Sequence, residues 1–139
     1  MRDEKGQELS ALFQRIVPQS FAYRDIIGQD KWLDTWTPTR TSWTDVGTPT
    51  VTARYRVVGR QCFVQIRVVP STSVATVAGT SYVSLPIAAS GLTGSFVMTD
   101  RTANQAVGTC SVDVTNSRVY VPAQVATGNT MEIAGWYEV

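Results

Sequence analysis

The stretch that decides the fold is TVTARYRVVGRQCFVQIRVV, residues 50–69. Apolar residues recur at every second position on both sides of Gly59, and successive side chains of a strand point to opposite faces of a sheet. Gly59 supplies the positive φ that a short hairpin turn often needs. The pattern therefore predicts two β-strands joined by a tight turn at residues 58–60, each with one face fit for a hydrophobic core.

The other face of this hairpin is polar and basic on its first strand, which carries Arg54 and Arg56. On the second strand the same face is mixed, because Phe63 and Val69 accompany Arg67. A solvated strand face explains such a set of arginines, and so does a local ligand-binding patch. The sequence leaves both interpretations open.

Downstream of the hairpin, short runs rich in Val, Thr and Ser alternate with turn signals. Regularly spaced short strands are typical of antiparallel sandwiches. We predict strands at 37–43, 81–85, 95–99, 106–114, 118–121 and 130–139. Loops are expected at 70–79, where a short strand is also compatible with the sequence, and at 126–129. The fold class expected is all-β: a jelly roll or β-sandwich of about eight antiparallel strands, preceded by one N-terminal amphipathic helix.

The predicted helix covers residues 3–17, where Pro18 disfavours its continuation. Its apolar side chains follow the i, i+3, i+4, i+7 spacing of one helix face: Leu9, Leu12, Phe13 and Ile16. Burying each of them is worth about 2 kcal/mol, so we expect the helix to dock. It packs on its own β-domain, on copies of itself or on another protein. We therefore divide the chain into a helix and connector, 1–36, and a β-module, 37–139.

Composition and charge restrict the partners. The net charge of the 139 residues is +1, which gives no electrostatic drive toward nucleic acid. No apolar run approaches the roughly 20 residues of a membrane span, and the N-terminus lacks the apolar centre of a signal peptide. We expect no membrane partner and synthesis in the cytoplasm.

Catalytic chemistry has few candidates. The chain contains no histidine, which removes the commonest general base and metal ligand. Two cysteines, Cys62 and Cys110, are too few for an ordinary zinc site and are interpreted as buried apolar residues, with their pairing left open. The carboxylates that remain are explained by turns and cross-strand pairs: Asp45, Asp100, Asp113, Glu132 and Glu138. We expect no enzyme, metal or cofactor.

Tryptophan is more informative. Trp32, Trp36 and Trp43 cluster at the entrance to the β-module, and Trp136 falls on the predicted solvent side of the last strand. Tryptophan fills protein interfaces, stacks on sugars or closes the open end of a sandwich. All three roles remain open on the sequence.

Four motifs occur in a fixed order: WTPT at 36–39, TVTARYRVVGR at 50–60, SLP at 84–86 and GWYE at 135–138. This ordered set resembles a β-module of tailed-bacteriophage structural proteins, found at the ends of tail fibres and in small virion proteins. The similarity extends over residues 36–139. The resemblance implies a location in the virion, a β-sandwich or jelly roll, and homo-oligomers, often trimers. It brings no catalytic residues.

The chain lacks a long shaft ahead of the module, which favours a short fibre, a tail or collar attachment, or a capsid-decorating protein. Expected partners are further copies of the chain, with a trimer favoured, and capsid, portal, adaptor or tail proteins. The residues expected to dock are Leu9, Leu12, Phe13, Ile16, Trp32 and Trp36. The alternative is a module that binds a host-surface glycan through Arg54, Arg56, Arg67 and Trp136.

Overall fold

The computed structural model describes residues 34–91 and 93–139, and every regular element in this part of the chain is a β-strand. The strands are β1 (Asp34–Thr35), β2 (Arg40–Thr41), β3 (Thr44–Val46), β4 (Thr50–Val58), β5 (Gln61–Val69), β6 (Ser73–Thr76), β7 (Tyr82–Ser84), β8 (Gly94–Asp100), β9 (Gln105–Asp113), β10 (Arg118–Tyr120), β11 (Gln124–Thr127) and β12 (Met131–Glu138). All pairings among them are antiparallel. The all-β prediction is confirmed for these residues.

The predicted hairpin is β4–β5. Its ladder runs without interruption from the pair Thr50–Val69 to the pair Val58–Gln61. Gly59 in the turn has φ +60°, the left-handed conformation that glycine adopts at no steric cost. Alternation therefore specified both the strands and their register.

The main sheet has nine strands in the order β1-β4-β5-β12-β8-β9-β10-β7-β2. The last strand, β12, lies near its centre between β5 and β8. Strand β9 serves two neighbours, since Gln105–Cys110 lie along β8 and Ser111–Asp113 lie along β10. A second sheet has three strands in the order β11-β6-β3.

The nine-stranded sheet curls into a half-barrel around one core. Inward side chains from distant strands, such as Val64 of β5 and Val83 of β7, belong to the same buried cluster. The small sheet contributes Val74 and Ala126 to that cluster, so its inner face closes over it. Sixteen buried hydrophobic residues make up the core among the described residues.

Two expectations need comment. Twelve strands replace the eight expected, because several have only two to four residues and are too short to show a period. The predicted 37–43 strand, for example, is reduced to β2, and β3 begins just after it at Thr44. The N-terminal helix lies outside the described residues. Within 34–91 and 93–139 there is no helix long and apolar enough to cross a membrane.

Candidate functional site

The outward face of β4, β5 and β12 carries all four residues expected to bind a ligand. Arg56 on β4 lies in one row with Phe63 and Trp136. Arg54 lies in the next row, opposite Gln65. Arg67 pairs with Glu132 across β5 and β12. We call this surface the outer face. The sheet brings Arg54, Arg56, Arg67 and Trp136 together on it.

The polar part of the outer face forms a depression of about 200 Å³, lined by Thr52, Arg54, Gln65 and Arg67. Nε of Arg54 donates to Oε1 of Gln65 at 2.7 Å, which orients that guanidinium. The Arg67 side chain is 53% exposed. Guanidinium groups so placed offer several donors to an anionic or hydroxyl-rich ligand.

Glu132 lies beside this depression. Its Oε2 is 3.6 Å from Nη2 of Arg67 and 3.8 Å from Nε of Arg101, distances longer than those of a hydrogen bond. Among the described residues, no hydrogen bond reaches this buried oxygen. The outer face therefore combines loosely paired guanidinium groups with an acceptor oxygen that has bonding capacity left.

Trp136 and Phe63 form the aromatic part of the outer face, and both are half-buried. The row that holds them is two residues along β5 from Gln65, a spacing of about 6.8 Å. Arg56 lies in the row of Trp136 but two strand spacings away, about 9.6 Å, so a ligand that contacts both must span that distance. This arrangement of guanidinium groups and an aromatic ring is compatible with recognition of a ligand.

Of the residues expected to dock, Trp36 is described, and Leu9, Leu12, Phe13, Ile16 and Trp32 lie outside the described residues. Trp36 follows β1 and is half-buried, and its ring meets Tyr55 edge-on with 5.7 Å between ring centroids. Its buried Nε1 has no hydrogen-bond partner within the described ranges. Trp36 therefore packs on the β-body itself.

Trp43 also packs against the core cluster. Its Nε1 donates to the carbonyl oxygen of Tyr82 at 3.2 Å, and the guanidinium of Arg40 lies 5.3 Å from its ring centroid. Among the interpretations left open for the tryptophans, this geometry agrees with a structural plug.

The carboxylates of Asp100 and Asp113 accept hydrogen bonds from groups in their own turns. Asp100, only 5% exposed, accepts hydrogen bonds from the backbone amides of Thr102 and Ala103 and from Nδ2 of Asn129. The Ala103 amide is the largest influence that lowers the pKa of Asp100. Asp113 accepts bonds from Asn116, which chiefly lowers its pKa as well. Carboxyls that ionise this readily make poor general acids near neutral pH.

Asp45 forms a bidentate ion pair with Arg40. Nη1 and Nη2 of Arg40 lie 2.8 and 2.7 Å from the two carboxylate oxygens of Asp45. Within residues 34–91 and 93–139, no group of three or more His, Cys, Asp or Glu side chains is placed to hold a metal ion. Asp45, Asp100 and Asp113 thus have structural partners.

The two cysteines are free thiols. Cys62 lies on β5 and Cys110 on β9, with β12 and β8 between them. Three strand spacings of about 4.8 Å separate them by about 14 Å, far beyond the reach of a disulfide. Burial raises the pKa of Cys62, and raises that of Cys110 to about 12. The pairing left open by the sequence does not occur.

Sequence reasoning missed an aromatic cluster on the outward side of β7 and β10. Tyr82 and Tyr120 are cross-strand partners with 5.4 Å between ring centroids. The guanidinium of Arg118 lies 4.4 Å from the Tyr82 centroid and 5.1 Å from that of Tyr120. Alternation with the buried Val83 and Val119 was the available signal, but each strand has only three residues.

Comparison of the chain with models of protein families, with characterised proteins and with solved structures gives no significant match.

Proposed function

We propose that this chain is a non-enzymatic structural protein of a tailed-bacteriophage virion. It is a short fibre, a tail or collar attachment, or a capsid-decorating protein. Residues 1–36 dock it onto sister subunits or onto capsid, portal, adaptor or tail proteins. Residues 37–139 form the displayed module, in the sandwich or jelly-roll class, and the assembled form is a trimer in the virion.

The observation that carries this proposal is the ordered set of four motifs at 36–39, 50–60, 84–86 and 135–138. The motifs touch one another in the folded body. Trp36 of the first meets Tyr55 of the second, and the Thr39 amide donates to Oγ of Ser84 in the third at 2.9 Å. Such contacts give a physical reason for the four motifs to occur together.

The fourth motif joins the same network. The hydroxyl of Tyr137 donates to the carbonyl oxygen of Ile87, directly after the third motif, at 2.7 Å. Next to the fourth motif, the Val139 amide donates to the carbonyl oxygen of Arg60, which ends the second, at 2.9 Å. The four motifs thus lie in contact within one folded body, which supports treating them as parts of a single module.

The test is incorporation into particles. The variant Leu12→Asp with Phe13→Asp places charge on the predicted apolar helix face, and Ser10→Asp with Gln14→Asp places the same charge beside it. Each is supplied in host cells that assemble the particle without the wild-type gene product. We expect the first variant to be missing from purified particles and the second to be present, with equal circular dichroism of both free proteins.

Presence of the Leu12→Asp, Phe13→Asp variant at wild-type copy number would contradict docking through this helix. Absence of the wild-type protein from purified particles would contradict the virion role itself. Light scattering of the free protein measures its mass and so its oligomeric state, since a trimer has about three times the 15.2 kDa mass of one chain.

The second candidate is a module that binds a host-surface glycan. It is favoured by the outer face, where Arg54, Arg56, Arg67 and Trp136 share one surface with a 200 Å³ depression. A glycan array with the full chain tests it. Arg67→Ala should lose the bound glycan, and Arg60→Ala, an exposed arginine in the hairpin turn, should keep it. If no glycan on the array bound the protein, the glycan-binding candidate would be contradicted and only the structural role would remain.

A further inference from the structure

A second concavity, of about 410 Å³, lies between β9, β10 and the turn that precedes β7. Its lining is Ala78, Gly79, Thr109, Ser111, Tyr120, Val121 and Pro122. We call it the Tyr120 groove. Its volume falls within the range of about 300–1,000 Å³ typical of small-molecule sites.

The aromatic wall of the groove is held in place from behind. Nε of Arg118 donates to Oδ2 of Asp113 at 2.9 Å, and the guanidinium then lies against the rings of Tyr82 and Tyr120. The two tyrosines also meet edge-on. Because an ion pair and a second ring fix its neighbours, the Tyr120 ring is presented in one orientation without further ordering cost.

The opposite wall is fixed as well. The Val77 amide donates to Oγ of Ser81 at 2.8 Å, and that hydroxyl donates to the Ser42 carbonyl oxygen at 2.6 Å. These bonds hold the turn containing Ala78 and Gly79. At the floor, Oγ1 of Thr76 donates to the carbonyl oxygen of Pro122 at 2.7 Å. The groove is therefore preformed.

The chemistry of the lining selects the ligand. Its lining contains no Asp, Glu, Lys or Arg, and the Arg118 guanidinium behind Tyr120 is already paired with Asp113, so a charged ligand finds no open counter-ion there. Thr109 and Ser111 offer hydroxyls that both donate and accept, and Pro122 and the Tyr120 ring offer apolar surface. A hydroxyl-rich ring with apolar C–H faces matches both parts.

We propose that the Tyr120 groove binds a neutral saccharide, with one sugar ring on Tyr120 and its hydroxyls bonded to Thr109 and Ser111. This site is separate from the outer face, where arginines favour acidic or hydroxyl-rich ligands. It does not depend on the virion role. It also does not depend on Arg67, so the two candidate glycan surfaces are separable by mutation.

The experiment is binding of the full chain to an array that carries neutral oligosaccharides of hexoses and N-acetylhexosamines, and acidic ones alongside. Tyr120→Ala removes the wall and Thr109→Trp fills the groove. Tyr120→Phe keeps the ring, and Thr52→Trp places the same bulk on the outer face. Thermal unfolding of each variant shows that it is folded.

We expect a neutral oligosaccharide to bind the wild type, and its affinity to fall at least about tenfold in Tyr120→Ala and Thr109→Trp. Tyr120→Phe, Thr52→Trp and Arg67→Ala should stay within about twofold of the wild type. If Tyr120→Ala fails to fold, the affinity of Thr109→Trp shows whether the ligand binds in the Tyr120 groove. The proposal is overturned if no neutral oligosaccharide binds, if folded Thr109→Trp binds as the wild type does, or if binding disappears in Arg67→Ala.

Discussion

At the scale of single residues, the hydroxyl of Tyr137 on β12 forms hydrogen bonds with the backbone of Ile87, in the loop after β7. It donates to the Ile87 carbonyl oxygen and accepts from the Ile87 amide at 3.1 Å. Tyr137 is fully buried. Burial raises the pKa of its hydroxyl, which therefore stays protonated and can make both bonds.

Tyr137→Phe should lower the free energy of unfolding by about 1–3 kcal/mol, because the Ile87 amide and carbonyl lose their partner. Chemical denaturation measures the difference. Val97→Ala, at a valine that is 40% exposed, is the control and should cost less than about 0.5 kcal/mol. Equal stability of Tyr137→Phe and the wild type would show that the hydroxyl contributes nothing.

The thiols give a second prediction at this scale. Since thiolate is the reactive form and desolvation raises both pKa values, an aromatic disulfide reagent at pH 8 should modify buried Cys62 and half-buried Cys110 much more slowly in the folded protein than in the unfolded one. In guanidinium chloride both should react rapidly. If a thiol reacted equally fast in the folded and unfolded protein, the fold would not protect it. If fewer than two thiols reacted in denaturant, a disulfide would be present.

At the scale of elements, β12 owes its central position to Gly135. A Cβ there would meet the carbonyl oxygen of Ser95 and lie 2.7 Å from Cα of Phe96. Both atoms are backbone of the paired strand β8 and cannot rotate away. The missing side chain makes room for Phe96, which is 2% exposed in the core.

Gly135→Ala should therefore destabilise the protein severely, by more than about 3 kcal/mol or to the point that it does not fold. Gly108→Ala is the matched substitution on β9, where the added Cβ would lie 3.3 Å from Cβ of Pro122 and a small shift relieves it. Thermal unfolding compares the two. A smaller loss for Gly135→Ala than for Gly108→Ala would contradict this account of β12.

The elements that the sequence predicted best are those long enough to show a period. In the nine-residue strands, burial alternates along all of β5 and over the first five residues of β4. Their bounds, their pairing and the common face of Arg54 and Arg67 therefore followed from the pattern. The two-residue strands β1 and β2 show no period. Tertiary pairing alone defines them.

The candidate sites were likewise predictable from the sequence only where local patterns bring their residues together. The hairpin places its arginines together through a local turn, which sequence reasoning can follow. Trp136 joins them because β12 pairs with β5, and the cluster of Tyr82, Tyr120 and Arg118 forms because β7 pairs with β10. Strand order is a property of the whole fold, so the Tyr120 groove had no local signal.

At the scale of the molecule, the loop that follows β8 contributes a pH-dependent part of the stability. Asp100 has a pKa below the ordinary 3.8, mainly because its carboxylate accepts backbone hydrogen bonds. The unfolded chain therefore binds the proton more tightly than the folded one. The stabilisation is complete above pH 3.8 and is lost as the pH falls through the lower pKa of the folded state.

Asp100→Asn should lower the melting temperature at pH 7, and the gap to the wild type should narrow as the pH falls below 3.8. Differential scanning calorimetry between pH 2.5 and 7 measures that gap. Asp113→Asn should show the same trend, because Asn116 and Arg118 favour the ionised form of Asp113. A gap that stayed constant over the acid range would refute this linkage.

The edge position of β1 has a mechanical consequence. A pull on Asp34, the first described residue, acts on a strand of two residues, whose partners among the described residues are Tyr55 and Arg54 of β4. Those few bonds part before the nine-residue β4–β5 ladder bears load. Under tension along the chain, this short ladder should open first, which lengthens the chain by a small step and leaves the other strands paired.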